Sequence, residues 1–147
     1  MIVKELTHNL SVSGQLAPSD IAEIANLGFK SIISNRPDSE GEDQPTFSEI
    51  AREAHLFGIE VRYIPVVSGK LSDQDASAFA AAVEALPKPV LAFCRTGTRC
   101  TMLWALTQVG ARAVEDILQT AQVAGYDLKG LEPRLRASAP SHDKAID

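Results

Sequence analysis

The chain has 147 residues, of which 45% are hydrophobic and 22% charged, and these values are typical of one globular domain. Its net charge is −5, which disfavours a nucleic-acid partner because phosphate backbones attract basic surfaces. The first residues lack the apolar run of a signal peptide, and no stretch approaches the roughly 20 apolar residues of a membrane span, so we expect a cytoplasmic protein with no membrane partner.

The N-terminal half alternates short apolar runs with amphipathic segments. In chain order we expect two strands within residues 3–16, a helix over 18–27, a strand over 29–34, a polar loop over 35–43, a helix over 46–57 and a strand over 59–66. A turn near His8 and Asn9 separates the first two strands. The acidic cluster from Glu40 to Asp43 is interpreted as a solvated loop.

The C-terminal half continues the alternation. We expect a helix over 72–86, a strand over 89–93, a helix from Arg99 that stops at Gly110, and helices over 114–124 and 131–136. Strands that alternate with helices predict a single three-layer α/β domain over residues 1–138, with a mostly parallel central sheet and helices on both faces. Residues 139–147 are polar and are expected to form a frayed tail.

Two predicted loops leave the carboxyl edge of this sheet, one after Ser34 and one after Phe93. Ligands of parallel sheets bind at that edge, so both loops are expected to face one cleft. Arg36 is the candidate anion-binding residue of the first loop. The alternative is a surface arginine paired with Asp38 or Glu40.

The most informative motif follows the last strand, Cys94-Arg95-Thr96-Gly97-Thr98-Arg99. Backbone N–H groups and the dipole of the next helix would stabilise a thiolate at Cys94, and Arg95 and Arg99 add positive charge. Gly97 would allow a positive φ in the loop. The motif therefore predicts a nucleophilic Cys94, against the alternative of an inert buried cysteine.

This loop resembles the active loop of rhodanese-type sulfurtransferases, in which the cysteine carries a persulfide. The wider chain, from Leu6 to about Leu135, is similar to the bacterial phosphatase-like domain found beside or fused to metallo-β-lactamase-type hydrolases. Segments 35–40 and 124–128 support the second resemblance. It implies the fold of the dual-specificity cysteine phosphatases and a hydrolase of the same pathway as a partner.

The two resemblances imply different reactions. Only four residues separate Cys94 from Arg99, whereas cysteine phosphatases have five, and a tighter ring of amides suits one sulfur atom better than three phosphate oxygens. Phe93 stands where those phosphatases usually have His. Asp73 and Asp75, the nearest upstream carboxylates, are interpreted as first-turn helix residues and not as a general acid.

We therefore expect a sulfurtransferase. Cys94 would take a sulfane sulfur from thiosulfate or a persulfide and pass it to a thiol, sulfite or cyanide acceptor, with Arg99 and Arg95 pairing with the anionic donor. The rest of the loop would bind the anion through Thr96, Gly97 and Thr98. One alternative is a cysteine-dependent phosphatase, and a second is a binding module that uses Cys94 and Cys100 as a redox switch.

Cys100 follows the loop, where the related families usually have Ser or Thr. It would either resolve an oxidised Cys94 as a disulfide or be a small first-turn residue, and we favour the second interpretation. Thr101 would then offer its hydroxyl to the Cys94 thiolate. The two cysteines and three histidines show no ligand spacing, so neither a metal nor a cofactor is expected.

Overall fold

The computed structural model describes residues 1–138. The strands and helices of this part are β1 (Val3–Thr7), β2 (Leu10–Ser13), α1 (Ile21–Asn26), β3 (Ser31–Ser34), α2 (Phe47–Leu56), β4 (Glu60–Tyr63), α3 (Asp73–Ala85), β5 (Val90–Phe93), α4 (Thr98–Gln108), α5 (Val114–Val123) and α6 (Glu132–Ser138). Short 3-10 turns precede α1 and α6. The predicted tail, residues 139–147, lies outside the described residues.

Two helices begin at side-chain caps that the sequence makes recognisable. Thr46 accepts a hydrogen bond from the N–H of Glu49 at the start of α2, and Ser72 accepts one from the N–H of Asp75 at the start of α3. The carboxylates of Glu49 and Asp75 accept in return from the backbone N–H of the cap residue. These capping boxes satisfy N–H groups that the first helical turn leaves without partners.

The five strands form one sheet in the order β1-β2-β5-β3-β4. β2, β5, β3 and β4 run parallel, and β1 pairs antiparallel with β2 at one edge. The predicted α/β fold with a mostly parallel central sheet is therefore confirmed. β5, the most apolar run of the chain, occupies the middle of the sheet and leads directly to Cys94.

Both faces of the sheet are covered, because successive side chains of a strand point to opposite faces. Leu91 and Phe93 of β5 pack with Ile32 of β3 in a cluster that includes α1 and α2. Ala92 of β5 packs with Ile33 of β3 in a larger cluster that includes α3 to α6. Side chains thus pack against both faces of β5, and this packing fixes the carboxyl end of the strand, from which the loop with Cys94 begins.

The strand register brings three chain segments to one level at the carboxyl edge. Ser13 of β2 and Ser34 of β3 both lie opposite Phe93 of β5. The N–H of Asn35 donates to the Phe93 carbonyl at 2.8 Å, and the N–H of Gln15 donates to the Arg95 carbonyl at 3.2 Å. The loops after β2, β3 and β5 therefore meet at the same edge.

No helix within residues 1–138 has the length and apolarity needed to cross a membrane.

Candidate active site

Cys94 lies between the end of β5 and the start of α4, and it is 1% exposed. The loop turns sharply at Gly97, whose φ is +93°, and the Gly97 N–H donates a hydrogen bond to Cys94 Sγ at 3.1 Å. The N–H groups of Thr96 and Cys100 also lower the pKa of this thiol. A ring of backbone donors thus surrounds Sγ, as in other anion-binding loops at helix N-termini.

A glycine is required at position 97 by conformation and by space. A Cβ there would collide with the Tyr126 hydroxyl and lie 3.2 Å from the Ser13 carbonyl oxygen. The Tyr126 hydroxyl itself donates to the Thr96 carbonyl at 3.1 Å. The segment after α5 therefore supports the loop from outside, a role for Tyr126 that no local sequence signal indicates.

The pKa of the Cys94 thiol falls from 9.0 to about 5, chiefly because the Cys100 thiol donates a hydrogen bond to it. Burial opposes this shift, and the backbone N–H groups of Cys100, Thr96 and Gly97 lower the pKa further. Burial raises the pKa of Cys100 well above its ordinary value, and the neighbouring Cys94 adds to that rise. At neutral pH the pair is a Cys94 thiolate beside a neutral Cys100 thiol.

The hydrogen-bond donor beside the thiolate is not the one the sequence led us to expect. The Thr101 hydroxyl donates to the Gly97 carbonyl at 2.8 Å and so closes the first turn of α4. The Cys100 side chain is the one that lowers the pKa of Cys94 most, and the two interpretations of Cys100, a resolving cysteine or a small first-turn residue, stay predictions. A thiol–thiolate contact of this kind has no signature in a single sequence.

Arg99 is held by the carboxylate of Glu40, a residue of the acidic loop that follows β3. Arg99 Nη1 and Nη2 donate to the two carboxylate oxygens of Glu40 at 2.8 and 2.6 Å, and Nη1 also donates to the Val66 carbonyl at 2.9 Å. Arg36 Nε donates to Glu40 at 3.0 Å, and its Nη1 donates to Gln15 at 2.9 Å. One carboxylate therefore joins two arginines from different loops.

The acidic loop from Glu40 to Asp43 is largely exposed, as expected, but the Glu40 carboxylate binds two arginines and is not free in solvent. The Glu40 side chain is only 25% exposed, and those of Arg36 and Arg99 are 10% and 9% exposed. Hydrogen bonding from Arg99 lowers the pKa of Glu40 against the opposing effect of burial, so the carboxylate is ionised. Arg36 pairs with Glu40, as the alternative interpretation of this residue expected. Its side chain is buried at the site and does not lie on the outer surface.

These residues open into a cavity of about 700 Å³ at the carboxyl edge of the sheet. Its lining includes Arg36, Arg99, Arg95 and Thr98 from the two predicted loops, together with segment 67–71 and Arg134 of α6. The structure thus brings Arg36, Arg95, Thr96, Thr98 and Arg99 together around one cleft, whereas Cys94, Gly97 and Cys100 are buried and are not among its lining residues. Within residues 1–138 no group of three or more His, Cys, Asp or Glu side chains is placed to hold a metal ion.

The model of one protein family, the phosphatase-like domain of beta-lactamase hydrolase-like proteins, matches residues 3–111. The chain belongs to this family. Beta-lactamase hydrolase-like proteins from Xylella fastidiosa and Agrobacterium fabrum are 30% and 31% identical to it over 130 and 125 residues. These matches cover 87% and 84% of the chain but only 30% and 29% of the relatives, so the phosphatase-like domain spans about three tenths of their length.

Solved structures of phosphatases resemble the phosphatase-like domain along nearly its whole length. A candidate phosphatase from Neisseria meningitidis is 36% identical, with a TM-score of 0.87, and the match covers 94% of this chain and 99% of that one. The catalytic core of the PP-IP phosphatase Siw14 from S. cerevisiae is 15% identical, with a TM-score of 0.71, and the match covers 98% and 88% of the two chains. At 15% identity, the likeness to Siw14 shows a shared fold alone.

The expected sulfurtransferase activity is wrong, because the family and its solved relatives are phosphatase-like. The error came from counting residues between Cys94 and Arg99. The N–H of Cys100, one residue beyond Arg99, also lowers the pKa of the Cys94 thiol, so the donors that act on the sulfur extend past the arginine. The spacing therefore does not set the size of the ring. The redox-switch alternative stays a prediction.

Proposed function

We propose that this domain is a cysteine-dependent phosphatase in which the phosphoryl group passes through Cys94. The observation that carries the proposal is a Cys94 thiolate within a ring of N–H donors, beside a buried arginine and a cavity open to small molecules. The family and its phosphatase relatives support the same reaction. This was the first alternative to sulfur transfer, and it now becomes the main proposal.

The reaction has two steps. Cys94 Sγ attacks the phosphorus, an S–P bond forms, and the P–O bond to the leaving group breaks with both electrons on that oxygen, which takes a proton from water. A second water then attacks the phosphorus, the S–P bond breaks, and inorganic phosphate and the Cys94 thiolate are released, with the proton of the water passing to solvent. The covalent intermediate divides one difficult displacement into two easier ones.

The loop stabilises the charge that develops on the phosphoryl oxygens. The N–H groups of Thr96, Gly97 and Cys100 converge on Sγ, so they lie next to a phosphoryl group bonded there. A guanidinium carries five N–H donors, and the contacts of Arg99 with Glu40 and Val66 use three of them. The remaining donors of Arg99 are available to the phosphate, while Glu40 fixes the plane of the guanidinium.

The upstream aspartates are occupied by structural contacts. The carboxylate of Asp75 accepts from the Ser72 N–H at the start of α3, and that of Asp73 accepts from Arg134 at 2.9 Å. An aryl phosphate is therefore the sharpest test substrate, because a nitrophenolate leaves without a proton from the enzyme.

The test is hydrolysis of p-nitrophenyl phosphate by the wild type and by Cys94→Ser. We expect Cys94→Ser to lower kcat about 1,000-fold or more, as removal of a covalent nucleophile does elsewhere. Cys100→Ser, which keeps a donor beside the sulfur, should retain at least a substantial part of the turnover. Full activity in Cys94→Ser, or no hydrolysis by the wild type, would contradict the proposal.

We also propose a cytoplasmic setting, because Cys94 and Cys100 are both free and a reactive thiolate persists best in a reducing compartment. Recovery of the protein in a secreted or periplasmic fraction would contradict this.

A metallo-β-lactamase-type hydrolase stays the proposed partner, supported by the name and greater length of the relatives. Separate elution of the two proteins after co-expression would count against that partnership.

A further inference from the structure

The arginines of this acidic chain are concentrated in one place. The chain has a net charge of −5, yet four of its eight arginines line the same cavity: Arg36, Arg95, Arg99 and Arg134. A single phosphate in the ring of N–H donors does not require all four. Their arrangement indicates what else the substrate carries.

The four arginines form an inner pair and an outer pair. Arg36 and Arg99 are buried and share the Glu40 carboxylate at the base of the cavity. Arg95 is exposed, and among residues 1–138 it makes no ion pair. The side chain of Arg134, which comes from α6, is 36% exposed. The outer pair is therefore the more solvent-accessible part of the arginine lining.

Arg134 is fixed by two hydrogen bonds that engage only part of its N–H donors. Its Nη1 donates to the Leu71 carbonyl at 2.8 Å, and its Nη2 donates to Asp73 at 2.9 Å. Asp73 is 88% exposed, so this ion pair is weakened by solvent. Three of the five N–H donors of the guanidinium stay available to a ligand in the cavity.

We propose that the substrate is a small polyanion: a phosphate ester whose far end carries a second anionic group, bound by Arg134 and Arg95. This inference rests on the proposed phosphatase function and names its substrate class. The cavity volume of about 700 Å³ lies in the range of small-molecule sites. Guanidinium groups bind phosphates and carboxylates through paired, charge-assisted hydrogen bonds, so either group fits the outer pair.

The test measures binding and not turnover. Calorimetry on Cys94→Ser compares fructose 1,6-bisphosphate with fructose 1-phosphate, and 3-phosphoglycerate with glycerol 3-phosphate. The first pair isolates a second phosphate, and the second pair isolates a carboxylate. We expect the additional anion to lower Kd about tenfold in at least one pair, as one charge-assisted contact does.

Variants of α6 test whether Arg134 provides this gain in affinity for the second anion. Adding Arg134→Gln to Cys94→Ser should reduce the gain to less than about twofold, while adding Arg136→Gln should preserve it. Arg136 is the matched control because it lies on the same helix and pairs with Glu115 and Glu132 outside the cavity. Arg134→Lys, which keeps the charge and loses the paired geometry, should give an intermediate gain.

Several results would overturn the inference. These are equal Kd values within both ligand pairs, no measurable binding of any doubly anionic ligand, and an unchanged gain in Arg134→Gln. Tighter binding of a phosphotyrosine peptide than of the bisphosphate would also overturn it, in favour of a protein substrate. Because turnover is not measured, a wild type that binds bisphosphate but hydrolyses nothing would contradict the phosphatase proposal alone.

Discussion

At the scale of single residues, Glu40 is the contact on which the geometry of the site depends most. Its carboxylate accepts hydrogen bonds from both Nη groups of Arg99 and from Nε of Arg36; the two arginines are buried, and the Glu40 side chain is 25% exposed. A buried charge pair is costly to break from one side, because the remaining charge loses its partner. We infer that Glu40 is a positioning residue for Arg99.

Glu40→Gln should lower kcat/KM for p-nitrophenyl phosphate about 10- to 100-fold, since a hydrogen bond to a charged group is typically worth about 1.5–3 kcal/mol. The control is Glu42→Gln, an exposed residue of the same loop, which should match the wild type. Steady-state kinetics and urea unfolding of both variants check the prediction. A higher kcat/KM in Glu40→Gln would show instead that Glu40 competes with the substrate for Arg99.

Cys100 makes a second prediction at this scale. Its thiol is the largest cause of the lowered pKa of Cys94, so Cys100→Ala should raise that pKa above the wild-type value of about 5. The reactive form is the thiolate, so the acid limb of the rate profile should move to higher pH. Cys100→Ser keeps a donor and should stay closer to the wild type. Ultraviolet titration of the thiolate, with Cys94→Ser subtracted, measures the shift, and coincident curves for Cys100→Ala and the wild type would contradict it.

At the scale of elements, the unit that matters is β5, its loop and α4. The loop ends in a glycine with positive φ, and the Gly97 N–H bonds the nucleophile. Gly14, at the end of β2, approaches so closely that a Cβ there would lie 3.0 Å from the Arg95 carbonyl oxygen. Two glycines therefore let the loops after β2 and β5 pack closely against each other.

Gly97→Ala should destabilise the fold by about 1–3 kcal/mol, because a side chain at positive φ is strained and this one also meets Tyr126. It should also raise the pKa of Cys94 by moving the Gly97 N–H away from the sulfur. Gly130→Ala is the control, since a Cβ at Gly130 has no atom within 4 Å. Chemical denaturation and thiolate titration test both effects, and wild-type values in Gly97→Ala would refute the packing described for the loop.

The sequence predicts these elements well wherever the signal is local. The Ser72–Asp75 capping box and the apolar run of β5 each lie within a few residues, and they place α3 and the middle strand correctly. The contact between Glu40 and Arg99 joins residues distant in sequence, so no periodicity indicates it. The contact of Cys100 with Cys94 depends on how the first turn of α4 is oriented, which residue counting does not show.

At the scale of the whole molecule, the two hydrophobic clusters share the central strand. Leu91 of β5 belongs to the cluster with α1 and α2, whereas Trp104 of α4 belongs to the cluster with α3 to α6. A single domain over residues 1–138, which stays a prediction, requires the two clusters to unfold together. The single tryptophan of the chain makes this measurable.

Leu91→Ala should lower the free energy of unfolding by about 2–5 kcal/mol, as other buried leucine truncations do. Trp104 fluorescence, which senses the other cluster, and far-ultraviolet circular dichroism should report the same shifted midpoint. Leu106→Ala, a half-buried position on α4, should cost less. Two transitions that do not coincide would contradict a single cooperative unit.

The reaction class was harder to predict than the fold. The sequence indicates a nucleophilic cysteine at the correct edge of the sheet, and the structure surrounds Cys94 with donors. The choice between sulfur and phosphoryl transfer was made on the short spacing to Arg99, and the family matches correct it. Spacing along the chain is a poor measure of a ring whose last donor lies in the following helix.

The most direct test of the proposed mechanism is to trap the covalent intermediate. Wild type mixed rapidly with p-nitrophenyl phosphate and quenched in denaturant is analysed by intact mass and peptide mapping, with Cys94→Ser in parallel. We expect one added phosphoryl group on Cys94 of the wild type and none on the variant. Hydrolysis without a phosphorylated Cys94, or with the phosphoryl group on another residue, would contradict the proposed mechanism.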